Sequence, residues 1–120
     1  MARWCSGDPS GFLEISDEDV VYFDPTLPGR IDGLAALAEL YEACRGQIRA
    51  ERYEFINPLV QEIGDAAVLT YNFVSWGGTE DALRWNCTEV FRRRGEHWKL
   101  IQTHWSITQS GVRSTGPAPA

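Results

Sequence analysis

Arg84-Trp85-Asn86-Cys87-Thr88-Glu89-Val90-Phe91-Arg92-Arg93-Arg94-Gly95-Glu96-His97-Trp98-Lys99-Leu100-Ile101-Gln102-Thr103-His104-Trp105-Ser106 reads as two long β-strands joined by a tight, charged turn. Apolar and polar residues alternate in both halves, the period of a strand with one buried face. On the first strand Trp85, Cys87, Glu89 and Phe91 share a face. Glu89 thus sits in an apolar row, where a charge is costly unless it is paired, neutralised or used. It is the first candidate for chemistry.

Working back toward the N-terminus, residues 66–76 predict another strand, with Ala67, Leu69, Tyr71 and Phe73 on one face and Val68, Thr70, Val74 and Trp76 on the other. Both faces are mostly apolar, so both are expected to be covered. Gly64-Asp65 predicts a hairpin turn, and Gly77-Gly78 opens a loop. Residues 51–62 alternate as a strand, but Asn57-Pro58 interrupts them; proline cannot donate to a ladder, so a bend, bulge or edge position is expected. Asp32 opens an amphipathic helix carrying Leu34, Leu37, Ala38, Tyr41 and Cys44 at helical spacing, and Gly46 closes it. Residues 20–24 predict a strand stopped by Pro25, and residues 16–19 (Ser-Asp-Glu-Asp) a solvated turn. Asp8-Pro9 starts a short helix burying Phe12 and Leu13. Helices first and four consecutive strands last imply an α+β fold, a cone-shaped, curved antiparallel sheet wrapped around helices. The open end of such a cone leaves a hollow suited to a small ligand.

A chain of 120 residues forms one domain. Residues 1–109 are assigned to it, and residues 110–120, rich in Ser, Gly, Pro and Ala, to a disordered tail. The net charge of −6 and a single basic triplet, Arg92-Arg93-Arg94, argue against nucleic-acid binding; a solvated turn accounts for the triplet. No apolar run is long enough to span a bilayer, and no secretory leader is read, so a cytoplasmic protein with reduced thiols is expected. Cys5, Cys44 and Cys87 lack metal or redox spacing, and His97 and His104 have no acidic ligand at metal spacing; neither metal nor cofactor is expected.

Three groups of residues resemble the nuclear transport factor 2-like superfamily, and within it SnoaL-like and calcium/calmodulin-dependent kinase II association-domain-like proteins. The first is Gly7-Asp8 with Tyr22-Phe23-Asp24-Pro25 and Ile31-Asp32-Gly33; the second is Asn57-Pro58 leading to Gly64-Asp65-Ala66-Ala67-Val68. The third is Thr88-Glu89-Val90-Phe91-Arg92-Arg93 with Trp98-Lys99-Leu100-Ile101 and His104-Trp105-Ser106. The resemblance implies the cystatin-like roll and is weak for function, because this fold hosts isomerases, cyclases, dehydratases and assembly modules.

A more distant resemblance, to ketosteroid isomerase, implies roles. Asp24 of Asp24-Pro25 falls where that family has its general base, and Glu89 where it has a protonated acid facing the enolate oxygen; ketosteroid isomerase is itself the reference example for this pair of acids. The isomerase's oxyanion tyrosine, on a long first helix, has no counterpart in residues 1–6, and Tyr22 is the available hydroxyl. The kinase association domain implies a basic, carboxylate-binding pocket, but Leu37, Phe73 and Glu89 stand at the corresponding positions, which does not fit one.

The expected ligand is therefore a small apolar or carbonyl-containing molecule, bound with Asp24, Glu89 and Tyr22 as catalytic groups and Trp85, Cys87, Phe91, Trp105 and Phe73 lining its site. The alternative is a non-catalytic oligomerisation or ligand-sensing module. A bland role stands beside each: Asp24 as a turn former, Glu89 as the partner of an arginine, Trp85 and Trp105 as core filler. Val68, Thr70, Val74 and His104 on the outer face are expected to pair two copies as a homodimer, with no nucleic-acid or membrane partner.

Overall fold

The computed structural model describes residues 1–5, 7–46, 50–76 and 82–108. In chain order the elements are α1 (Ala2–Cys5), α2 (Ser10–Ile15), β1 (Ser16–Phe23), β2 (Ile31–Asp32), α3 (Leu34–Ala43), β3 (Arg52–Ile63), β4 (Ala66–Trp76), β5 (Ala82–Arg94) and β6 (His97–Ile107). They build the expected α+β architecture: one curved, unclosed six-stranded sheet in the order β2-β1-β6-β5-β4-β3, with the helices on its inner side. Every pairing is antiparallel except β1 with β6. Among the described residues no helix is long and apolar enough to cross a membrane. Gly77-Gly78 and the tail at 110–120 lie outside the described residues.

Three register shifts bend the sheet. One falls between Ile56 and Leu59 of β3, at the expected Asn57-Pro58 interruption, where Asn57 adopts φ 51°. A second lies between Val90 and Phe91 of β5, and a third between Ser16 and Val21 of β1. An unpaired extra residue raises local twist and re-aims the strand, which is how a flat ladder becomes a trough. β3 is an edge strand, as Pro58 requires.

Two apolar clusters fill the trough. Val20, Tyr22, Leu37, Tyr41 and Leu100 form one beneath α3; Cys5, Tyr71, Phe73 and Cys87 form the other beneath α1. Trp4 and Trp105 pack against both. Phe12 and Leu13 of α2 are half-buried against the first cluster.

Five sequence expectations are corrected. Residues 16–19 are the start of β1, not a solvated turn, and Asp17 is only 7% exposed. The reason lies far along the chain: Asp17 Oδ2 accepts from Arg92 Nη2 at 2.9 Å and Arg94 Nε at 2.5 Å, while Arg92 also reaches Asp19. Arg92 and Arg94 are therefore a staple between β5 and β1, not a free charged turn. Helix α3 begins two residues after Asp32, because Asp32 is paired in β2 with Val21 and ion-paired to Arg30 at 2.5 Å. A one-turn helix, Ala2–Cys5, precedes Gly7 where no helix was expected. On the outer face Val74 is 2% exposed within the single chain, so it offers nothing to a partner. Beside it Asn72 is exposed and donates to Asn86 Oδ1 at 2.6 Å, and Asn86 to Ser106 Oγ at 3.1 Å, a polar ladder across the middle of that face.

The staple has a pH signature. Arg94, then burial working against it, then the Glu18 amide and Arg92 hold Asp17 down at about 2 from an ordinary 3.8. A carboxyl lowered on folding stabilises above its unfolded value and stops doing so as pH falls through its folded value. Acid unfolding followed by circular dichroism should therefore carry a component between roughly pH 4 and pH 2. Asp17→Asn should remove that component and leave the staple weakened at neutral pH.

Candidate functional site

Register places the polar groups of the inner face in one row. Tyr22 of β1 is opposite Thr103 of β6, Thr103 is opposite Glu89 of β5, and Glu89 is opposite Leu69 of β4. Side chains at paired positions point to the same face with Cβ atoms about 5 Å apart. The next row holds Trp105, Cys87 and Tyr71. The polar row runs between the two apolar clusters, with Tyr22 in one and Tyr71 and Cys87 in the other.

At one end, the Tyr22 hydroxyl donates to Asp24 Oδ2 at 2.9 Å. The other Asp24 oxygen accepts from the Thr26 amide at 2.8 Å and the Thr26 hydroxyl at 2.6 Å. Asp24 is thus both the turn former and a carboxylate held at the mouth of β1 by Tyr22. At the other end, Glu89 is 5% exposed and accepts from the Tyr71 hydroxyl at 2.6 Å through Oε1, with Cys87 Sγ 3.8 Å from the same oxygen. Among the described residues Oε2 has no protein partner. No arginine pairs with Glu89 among the described residues.

Burial pushes the Glu89 carboxyl above its ordinary range, with the Tyr71 hydrogen bond opposing. A raised carboxyl is one biased toward its proton-carrying form, able to donate a hydrogen bond. Burial also pushes the Cys87 thiol up to about 12, so it is a protonated lining group with no nucleophilic character. Tyr22 and Tyr71 are driven upward by burial first, then by Tyr41 and Asp24 for Tyr22 and by Glu89 for Tyr71; both stay neutral hydroxyls.

Tyr41 of α3 joins the two ends. Its ring meets Tyr22 edge-on at 5.5 Å, and the fields of Glu89 and Asp24 both reach it. Tyr41, Tyr71 and Thr103 are absent from the sequence-derived set. Tyr41 and Tyr71 sit in apolar stripes at regular spacing and read as core, and a hydroxyl leaves no mark on hydropathy periodicity. Of the sequence-derived set, Trp85 and Trp105 meet edge-on at 5.8 Å and Phe73 lies 5.8 Å from Trp105, while Phe91 packs with Tyr22 in the first cluster. His104 points to the other face, against its own Phe23 at 4.9 Å. Among the described residues no group of three His, Cys, Asp or Glu is placed to hold a metal ion.

Curved sheet, helical filling and inward polar row together define an α+β domain of the nuclear transport factor 2-like, cystatin-like class. The chain belongs to the SnoaL-like domain family, which it matches over residues 4–110. A solved protein from Parabacteroides distasonis, provisionally named a ketosteroid isomerase, is 42% identical over 91% of this chain and 82% of its own, with a TM-score of 0.82. A nuclear transport factor 2-like protein of unknown function from Pseudomonas putida is 25% identical over 88% of this chain and 76% of its own, TM-score 0.78. The CaMKII hub of S. rosetta, 23% identical over 89% and 87%, TM-score 0.72, shares the fold. No protein of curated function matches the sequence.

Proposed function

We propose that this domain binds a small, weakly polar carbonyl compound on its inner face and acts on it by acid/base chemistry, as an isomerase, cyclase or dehydratase. One observation carries the reading: a buried carboxyl, pushed up by burial and with one oxygen unpartnered among the described residues, stands in an aromatic wall with no side-chain cation paired to it there, the N-terminal ammonium exerting only a lesser opposing pull. A fold gains nothing from such a group, because an apolar residue of the same size would avoid its desolvation cost. In this reading Glu89 donates to the ligand oxygen, Tyr71 orients Glu89, and Asp24 takes a proton from the carbon next to the carbonyl. Tyr22 holds Asp24, and Trp85, Trp105, Phe73, Phe91 and Cys87 supply the apolar walls. The resemblance to the Parabacteroides protein supports the same chemistry.

The competing reading, a module that assembles or senses without turnover, is favoured by the edge strand. Leu59, Val60 and Ile63 of β3 are 54%, 58% and 75% exposed, an apolar surface suited to a second copy.

Tryptophan fluorescence with a panel of phenols and polycyclic enol mimics separates them, since Trp85 and Trp105 would report occupancy. Micromolar binding that changes in Asp24→Asn and Glu89→Gln is expected; no binding together with a tight dimer or ring would favour assembly. Glu89→Gln should also change stability in a defined way. A carboxyl raised on folding stabilises below its unfolded pKa and destabilises as pH rises through its folded one. The advantage of Glu89→Gln over wild type in urea unfolding should therefore grow from pH 4 to pH 8, while affinity for the enol mimics falls roughly tenfold.

A further inference from the structure

Thr103 is 4% exposed, and its hydroxyl is buried with no hydrogen-bond partner. Such a hydroxyl is unusual: nearly all buried polar side-chain atoms in folded proteins are satisfied, and an orphan calls for an explanation. Its neighbours in the row do not supply one. The Tyr22 proton goes to Asp24 and the Tyr71 proton to Glu89 Oε1. Valine would have the same shape without the cost, so the retained hydroxyl serves a state other than the one seen.

We propose that the Thr103 hydroxyl is the second hydrogen-bonding group, beside Glu89 Oε2, that receives the oxygen of the bound ligand. This rests on the ligand-binding reading above and extends it. Thr103 stands directly across the ladder from Glu89 on the inner face, their Cβ atoms about 5 Å apart, so both groups can reach one oxygen held over that pair. Two donors aimed at one oxygen stabilise it most where it carries or develops negative charge, which favours an enolisable ketone, an enol or a phenol as the ligand. The hydroxyl is enclosed in the unliganded chain, so an apolar neighbour must move aside for the ligand. Trp4, which packs on both clusters and 4.9 Å from Tyr41, is carried by the one-turn helix α1 and not by the sheet, so it is a group free to make that movement.

Calorimetric binding of 2-naphthol and a series of substituted phenols to wild type, Thr103→Val, Thr103→Ser and Glu89→Gln tests this. Thr103→Val is expected to bind roughly tenfold more weakly, with the loss growing as the phenol becomes more acidic, and Thr103→Ser to regain most of the affinity. The same Thr103→Val chain should unfold at equal or higher urea than wild type, because it sheds an unsatisfied hydroxyl. A structural threonine would give the reverse, lower stability with unchanged affinity, and would overturn the assignment. Binding weakened by Glu89→Gln but untouched by Thr103→Val would overturn the role of Thr103 alone. Wild type that binds no phenol would overturn the ligand-binding reading and this inference with it.

Discussion

Asp24→Asn is expected to slow proton abstraction by roughly 10²–10⁴, the usual share of a positioned general base. The substrate need not be known to measure it. Cyclic ketones of graded size can be incubated with the protein in D₂O, and deuterium uptake at the carbon next to the carbonyl followed by NMR. The base takes that proton, the electron pair moves onto the carbonyl oxygen as an enolate, and a deuteron returns to the carbon. Asparagine keeps the local structure, because its carbonyl oxygen can still accept from the Thr26 amide and hydroxyl as Asp24 Oδ1 does. At the Oδ2 position an NH2 group then donates to the Tyr22 oxygen instead of accepting from its hydroxyl, and it can take no proton. Urea unfolding of the variant should therefore shift little. If Asp24 is a turn former and nothing more, the pattern inverts: exchange is unchanged from wild type and stability falls by about 0.5–2 kcal/mol, as for a lost cap.

How far the sequence discloses this arrangement depends on the range over which each residue's burial is decided. The strand at residues 66–76 is legible to the residue, since both faces are apolar and a turn pair precedes it. Asn57-Pro58 announces its register shift because proline's missing donor is a local fact. The polar run at 16–19 misleads for the opposite reason. Asp17 is buried only because two arginines more than 70 residues later close on it, and no local pattern contains them. The site divides the same way. Glu89 stands out as a carboxylate in an apolar row, and Tyr22 and Asp24 share a face at adjacent positions of it. Tyr41, Tyr71 and Thr103 acquire their meaning from strand register and from α3 lying over β1, which pattern reading does not supply. A tyrosine paired across the ladder from the residue two before a buried acid is the signal that could have found Tyr71.

Leu37→Ala is expected to be the most damaging single truncation, and its effect should reach the site. Leu37 is 2% exposed and packs at the centre of the cluster that contains Val20, Tyr22, Tyr41 and Leu100. Deleting a fully buried leucine side chain removes its transfer free energy and leaves a hole, together about 2–5 kcal/mol. For a domain of this size that is a fall in Tm of roughly 8–20 °C, at about 4 °C per kcal/mol. The position matters as much as the size of the loss. α3 covers β1 through this contact, so the cavity opens between the helix that carries Tyr41 and the strand that carries Tyr22. Relaxation into it moves one hydroxyl against the other and loosens the support of Asp24. At a temperature where the variant is still folded, ketone exchange should thus fall beyond what the folded fraction explains, and enol-mimic affinity with it. A variant that loses stability alone, with exchange per folded molecule intact, would show that Asp24 is held by Thr26 and the β1 turn without help from the helix.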